Sequence, residues 1–247
     1  MTAPDPAPEP FRGRIALVTG ASRGIGRAVA EALGAAGAQV VAVARTVGGL
    51  EDLDDAIKAA GGPPATLVPL DLSDMDAIDR LGAAILGRWN KLDILIGNAA
   101  MLGALTPLTH MEPKDWQKLM DVNVTANYRL LRICEPLLQR SDAPRAVFVT
   151  STVAQDYRAF WGPYATTKAA LEAMVLCYAA DMRKSSFKIN LLNPGATATA
   201  MRAKAMPGED ASTLPAPKDL VPLFLELAGP GCARHGEVVT YREWRKG

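Results

Sequence analysis

The sequence predicts an α/β fold in which a parallel sheet is covered by helices. Two observations carry that prediction. Short β-branched runs alternate with longer stretches of helical periodicity from residue 14 to residue 241, the rhythm of strands joined by helical crossovers. A glycine-rich turn, VTGASRGIG at 18–26, stands where the first apolar run gives way to the first helical stretch. With 247 residues, 49% apolar and 21% charged, the chain is long enough to bury a sizeable core.

The elements follow in order. RIALVT (14–19) reads as the first strand and RAVAEALGAAG (27–37) as the first helix, because Val29 and Leu33 share a face and Gly37 stops it. QVVAVA (39–44), ATLVPL (65–70) and LDILIG (92–97) are the next three strands. Between them lie the helix LEDLDDAIKAAG (50–61) and one that Asp74 caps and that ends near Trp89. A long helix from Pro113 to Gln139 leads to AVFVTS (146–151), and a helix from 163 to Lys184 leads to FKINLLN (187–193). Residues 196–217, broken by Pro207-Gly208 and two further prolines, read as loop; a short helix (218–228) and the strand GEVVTY (236–241) close the fold. Residues 1–12, with four prolines, read as a disordered tail, and 13–247 as a single domain without repeat or linker.

Composition narrows the function. Lys and Arg total 27 against 26 Asp and Glu, and no basic stripe appears, so nothing points to nucleic acid. No apolar run approaches the roughly 18 residues that span a bilayer, and the start has neither a basic n-region nor an apolar h-region, so a cytoplasmic protein without membrane attachment is expected. Cys134, Cys177 and Cys232 are far apart and odd in number, which suits reduced thiols. With two histidines in the chain no metal cluster is expected, and without a G-x-S-x-G elbow a serine hydrolase is disfavoured.

The glycine turn is a phosphate cradle in waiting. Gly20, Gly24 and Gly26, with Ser22, Arg23 and Ile25 between them, let the backbone turn tightly and approach a pyrophosphate while the helix N-terminus presents free N–H groups to the anion. An NAD site of this type usually has an acid near the end of the second strand, for the ribose 2′-hydroxyl. Arg45 stands there instead, and two guanidiniums, Arg23 and Arg45, suit a 2′-phosphate, so NADP(H) is expected over NAD(H).

GPYATTK (162–168) places a phenol and an ammonium one helical turn apart. A cation there favours the phenolate of Tyr164, whose ordinary pKa near 10 makes it a poor proton shuttle at neutral pH. TGASRGIG, a strand ending in Ser151, and Tyr164-x-x-x-Lys168 thirteen residues later resemble the short-chain dehydrogenase/reductase family over residues 13 to 240.

The resemblance implies a doubly wound, Rossmann-type three-layer sandwich with a seven-stranded parallel sheet in the order 3-2-1-4-5-6-7. It implies a hydride-transfer enzyme on a small-molecule carbonyl/alcohol pair, in which Tyr164 is the general acid/base and Lys168 favours the phenolate and bonds the nicotinamide ribose. Ser151 would hold the substrate oxygen, and Asn123 would support a water relay. Asp71-Leu72 matches the adenine contact, and Pro194, Gly195 and Thr199 the segment beside the carboxamide. Gly97-Asn98-Ala99-Ala100 departs from the usual NNAG, keeping the central Asn98-Ala99 pair. The alternatives are an NADP(H)-binding sensor or scaffold without turnover, and an isomerase, dehydratase or epimerase on the same fold. Tyr157, Phe160 and Trp161 are expected to border the substrate pocket, Met201 and Met206 to form a lid, and the residues after 241 to be a solvated tail. Stretches 114–139 and 163–180 are apolar almost all round, which predicts a homo-oligomer, a dimer or homotetramer, joined through helices 114–139 and 163–184.

Overall fold

Seven short apolar strands need helices on both faces to leave water, and the chain supplies them alternately. The computed structural model describes residues 10–246. The strands are β1 (Ile15–Thr19), β2 (Gln39–Ala44), β3 (Thr66–Pro69), β4 (Ile94–Gly97), β5 (Arg145–Val149), β6 (Lys188–Asn193) and β7 (Val238–Thr240), all parallel, in the order β3-β2-β1-β4-β5-β6-β7. The helices are α1 (Gly24–Ala35), α2 (Val47–Ala59), α3 (Met75–Trp89), α4 (Pro113–Met120), α5 (Ala126–Leu138), α6 (Gly162–Asp181), α7 (Ala200–Ala205), α8 (Val221–Ala228) and α9 (Tyr241–Trp244). The expected doubly wound sandwich and strand order are both present.

Strand alternation divides the core into two layers. Ala16 and Val18 of β1 face α1, α2 and α8, packing with Val29, Leu33, Leu53, Ile57 and Phe224. Ile15 and Leu17 face the other way, toward α3, α5 and α6, with Ile78, Ile85, Leu130, Leu171 and Val175. Sheet order reverses between β1 and β4, and a crevice opens there above the carboxyl ends of the strands.

Three expectations need correction. Residues 1–9 of the expected tail lie outside the described residues, but Pro10–Gly13 form a turn, and Phe11 is buried with its N–H bonded to Ala36 O at 3.3 Å, because an aromatic ring at that point reaches the core beside α1. The expected loop 196–217 contains α7, capped by Thr199 accepting from Arg202 N and fastened by Arg202 to Glu209 at 2.5 and 2.6 Å. Where the solvated tail is expected, Tyr241–Trp244 form α9, in which Tyr241 is buried, its ring stacks on Trp244 at 6.1 Å, and Trp244 Nε1 donates to Glu226 at 2.7 Å. That end of the chain is docked.

Candidate active site

The crevice at the strand reversal is a cleft of about 660 Å³. Its walls come from the glycine turn, the ends of β2, β4, β5 and β6, and the face of α6 that carries Tyr164 and Lys168. Gly20, Ser22, Arg23, Gly24, Ile25, Arg45, Asp71, Leu72, Asn98, Ala99, Ser151, Tyr164, Lys168, Pro194, Gly195 and Thr199 all line it. Gly26 and Asn123 do not, and each acts from behind.

Gly26 fits where no side chain would. A Cβ there would stand 2.4 Å from Gly20 O and 2.3 Å from Asn98 Nδ2. Gly24 is needed for another reason: its φ of 59° lies in the left-handed region, while a Cβ there would meet only Thr199, in ordinary contact at 3.6 Å. Arg23, the residue before α1, makes no side-chain cap, so the helix leaves its first N–H groups free for an anion. Asn98 ties the turn to β4, its Nδ2 donating to Thr19 O at 2.9 Å and its backbone N–H to Thr19 Oγ1 at 3.0 Å. Gly97, beside it, leaves room for a neighbour: a Cβ would meet the Phe148 ring at 2.3 Å. Arg45 is half exposed at the cleft rim, with Nη1 3.8 Å from Asp71 Oδ2. Free helix N–H groups and two arginines at one end of the cleft suit a polyanionic ligand.

The opposite end is apolar. Tyr164 packs among Leu102, Val153, Ala165 and Ala205, with Leu105 and Trp161 against that group. Trp161 meets the Tyr164 ring edge-on at 6.2 Å, and Lys168 Nζ lies 5.7 Å from the ring centroid. Lys168 is buried, and Nζ donates to Val149 O at 2.8 Å. Burial pushes the amine's pKa down to about 8, opposed by the charge of Glu172. Burial also raises the phenol of Tyr164 above its ordinary value. The sequence reading expects the amine to favour the phenolate; in the folded protein burial of the ring acts against that form.

Asn123 is completely buried on a π turn, Asp121–Thr125, that joins α4 to α5, so the long helix expected from the sequence is continuous but widened at this point. Its Oδ1 accepts from Met101 N at 2.8 Å, and Nδ2 donates to Met101 O at 2.9 Å and Thr167 Oγ1 at 3.0 Å. The carboxamide thereby fixes the loop following β4 against α6. Ser151 stands at the end of β5 before a 3-10 turn, Thr152–Ala154, and its Oγ accepts weakly from Val153 N at 3.5 Å, leaving the hydroxyl proton for the cleft.

Of the residues expected near the substrate, Trp161 and Met201 line the cleft. Tyr157 is 85% exposed, Phe160 is exposed with a left-handed φ of 70°, and neither they nor Met206 reach it. Sequence reading passed over Thr46, Thr150, Val122 and Lys204, which also form the walls. Thr46 was signalled by following Arg45 directly. Val122 comes to the cleft only through the π turn. Among the described residues no helix is long and apolar enough to cross a membrane. Among the same residues no group of His, Cys, Asp and Glu forms a metal site, and the three cysteines are free.

Comparison with known proteins agrees with this geometry. The family described as short chain dehydrogenase matches residues 14–210. The uncharacterized oxidoreductase YciK of Escherichia coli (strain K12) is 38% identical over 231 residues, covering 93% of this chain and 91% of that one. A Shigella flexneri 2a str. 301 short chain dehydrogenase solved in complex with NADP superposes with a TM-score of 0.91 at 35% identity, over 95% of this chain and 99% of that one. One from Escherichia coli CFT073, complexed with NADPH, does so at 0.90 and 36%, over 95% and 99%. A fold, a cleft and a family match that coincide over the same residues leave one conclusion: the chain belongs to the short chain dehydrogenase family of oxidoreductases.

Proposed function

We propose that residues 13–247 act as one NADP(H)-dependent oxidoreductase unit, interconverting a small carbonyl compound and its alcohol, with Tyr164 as general acid/base. The observation that carries this reading is the single cleft in which a buried tyrosine, a buried lysine and a strand-end serine meet an uncapped helix N-terminus. Arg23 and Arg45 favour a 2′-phosphate, and the NADP and NADPH found in two structural relatives support the same preference, with NAD(H) the weaker ligand. When bound, the reduced cofactor supplies hydride to the carbonyl carbon.

The chain's own residues manage the oxygen. Ser151 Oγ donates a hydrogen bond to it, and Tyr164, kept protonated by burial, hands over its proton as the alkoxide forms. The positive charge of Lys168 beneath the ring stabilises the phenolate left behind. In oxidation the same groups run in reverse. Leu102, Leu105, Val153 and Trp161 exclude water from the reacting end and favour an apolar or aromatic carbonyl compound.

The test is NADPH oxidation, followed by absorbance, across a panel of ketones and aldehydes. Tyr164→Phe should reduce kcat by about 10²–10⁴-fold; near-normal turnover would refute the mechanism. Arg45→Asp should weaken NADPH far more than NADH, and equal losses would refute the cofactor preference. The outer faces of α5 and α6, where Tyr128, Ala173 and Cys177 are exposed, are proposed as the contact with a second copy in a cytoplasmic dimer or tetramer. A one-chain mass by light scattering at micromolar concentration would exclude that assembly.

A further inference from the structure

One titratable group of α6 has no part in the proton transfer described above. Glu172 lies one helical turn beyond Lys168, as Lys168 lies one turn beyond Tyr164, so the three share a face of α6. It is 7% exposed in the middle of an apolar helix, where an ionised carboxylate needs partners. It has two. Thr150 Oγ1 donates to Oε1 at 2.7 Å, and Gln155 Nε2 donates to Oε2 at 3.0 Å. Thr150 immediately precedes Ser151, and Gln155 follows the 3-10 turn that Ser151 opens. One carboxylate therefore grips both sides of the serine segment from the helix that carries the tyrosine and lysine.

We propose that Glu172 is a positioning residue of this site: its buried carboxylate pins the Ser151 segment through Thr150 and Gln155 and supplies the counter-charge that keeps Lys168 an ammonium beneath Tyr164. The elements around the amine offer nothing equivalent. Its hydrogen-bond partner from β5 is the neutral Val149 carbonyl, and the π turn presents the Asn123 carboxamide. Asp121, on that same turn, is engaged by Gln117 at 2.9 Å, and Asp156, on the loop after the 3-10 turn, by Arg158 at 2.7 and 2.5 Å. On α6 itself Tyr164 is neutral, and Lys168 and Glu172 form no direct ion pair within 4 Å among the described residues. The carboxylate acts on the amine through space across a dry interior, where charge is weakly screened.

Glu172 would thus influence both ends of the reaction, the serine through hydrogen bonds and the lysine through its field. This assignment rests on the oxidoreductase reading for its purpose but not for its test. Lysine labelled with ¹³C at Cε reports the Lys168 titration in cofactor-free protein without any substrate, the resonance being assigned by its loss in Lys168→Met. In Glu172→Gln the midpoint should fall by about one pH unit or more, because burial then acts unopposed. Glu172→Asp, which keeps the charge, should restore most of it. Thr150→Val, which disturbs the same packing without removing the charge, should leave the midpoint within about half a unit. Glu172→Met gives the same reading as the amide if that variant does not fold.

An unchanged midpoint in Glu172→Gln, or an equal fall in Thr150→Val, overturns the proposal. With the best carbonyl compound of the panel, kcat in Glu172→Gln should drop about fivefold or more at pH 8 and less than twofold at pH 6, since Lys168 is still charged at the lower pH. A loss of equal size at both values would mean that Glu172 acts on structure alone. A panel without any turnover would count against the oxidoreductase reading and leave the titration result standing.

Discussion

Burying an ammonium group opposes folding, and Lys168 is 2% exposed with the Val149 carbonyl as its one hydrogen-bond partner among the described residues. Its pKa of about 8 lies below the ordinary lysine value of 10.5, so between those two pH values the unfolded chain holds a proton that the folded chain lacks. Stability from this group therefore rises as pH climbs through that window and is lowest beneath it. Lys168→Met should raise Tm by about 2–4 °C or more at pH 7, the advantage should shrink as pH approaches 10.5, and turnover should collapse throughout. Thermal melts at several pH values check the sign; a substitution that lowers Tm at pH 7 would mean the amine stabilises the fold. Burial likewise disfavours the charged form of Tyr164, raising the phenol above its ordinary value. These two residues were legible in the sequence by spacing. Glu172 was signalled too, as the one acid in the interior of an apolar helix whose other acid, Asp181, is its last residue, but its partners Thr150 and Gln155 lie 22 and 17 residues away and meet it only in the fold.

At the scale of elements, the glycine turn works through two distinct constraints. Gly26 is packed against backbone that has nowhere to move, whereas Gly24 needs its left-handed φ and little else. Gly26→Ala should cost about 3 kcal/mol, the upper end for overpacking, and abolish NADPH binding. Gly24→Ala should cost about 1 kcal/mol. Urea denaturation separates them, and equal losses would refute the distinction. The sequence places both glycines in the turn but does not say which one is steric. The π turn at Asp121–Thr125 was hidden for a related reason: one added residue per turn leaves the apolar pattern of α4 and α5 intact, and the widening is visible only where Asn123 finds its three bonds. α7 was missed because six residues are too few to show a period.

Across the whole molecule, function and anchorage occupy opposite edges of the sheet. The cleft lies at the carboxyl edge, while Asp93, fully buried, sits just before β4 at the amino edge. Burial alone would raise its pKa, but Ser141 Oγ at 2.5 Å, Ile15 N at 2.8 Å and Lys91 Nζ at 2.9 Å hold it below the ordinary carboxylate value. A depressed carboxylate stabilises the fold above its unfolded pKa of about 3.9 and stops doing so as pH falls through the lower folded value. Asp93→Asn should cost about 3–5 kcal/mol at pH 7, and the difference from the unsubstituted protein should narrow below a pH of about 3. Calorimetry over that range decides it, and a constant difference would assign the loss to packing.

The order of strands and helices, the phosphate turn, and the Ser151, Tyr164 and Lys168 set were determined by the sequence itself, because alternation, glycine placement and a four-residue spacing are local properties. Which residues share the cleft was decided only by tertiary structure. Exposure of Tyr157 and Phe160, the docking of α9, the bracing of Asn123, and the balance of burial against charge at Tyr164 and Lys168 all depend on which distant segments exclude water from a given atom. Solvent exclusion is a property of the packed assembly of elements, and no window along the chain contains it.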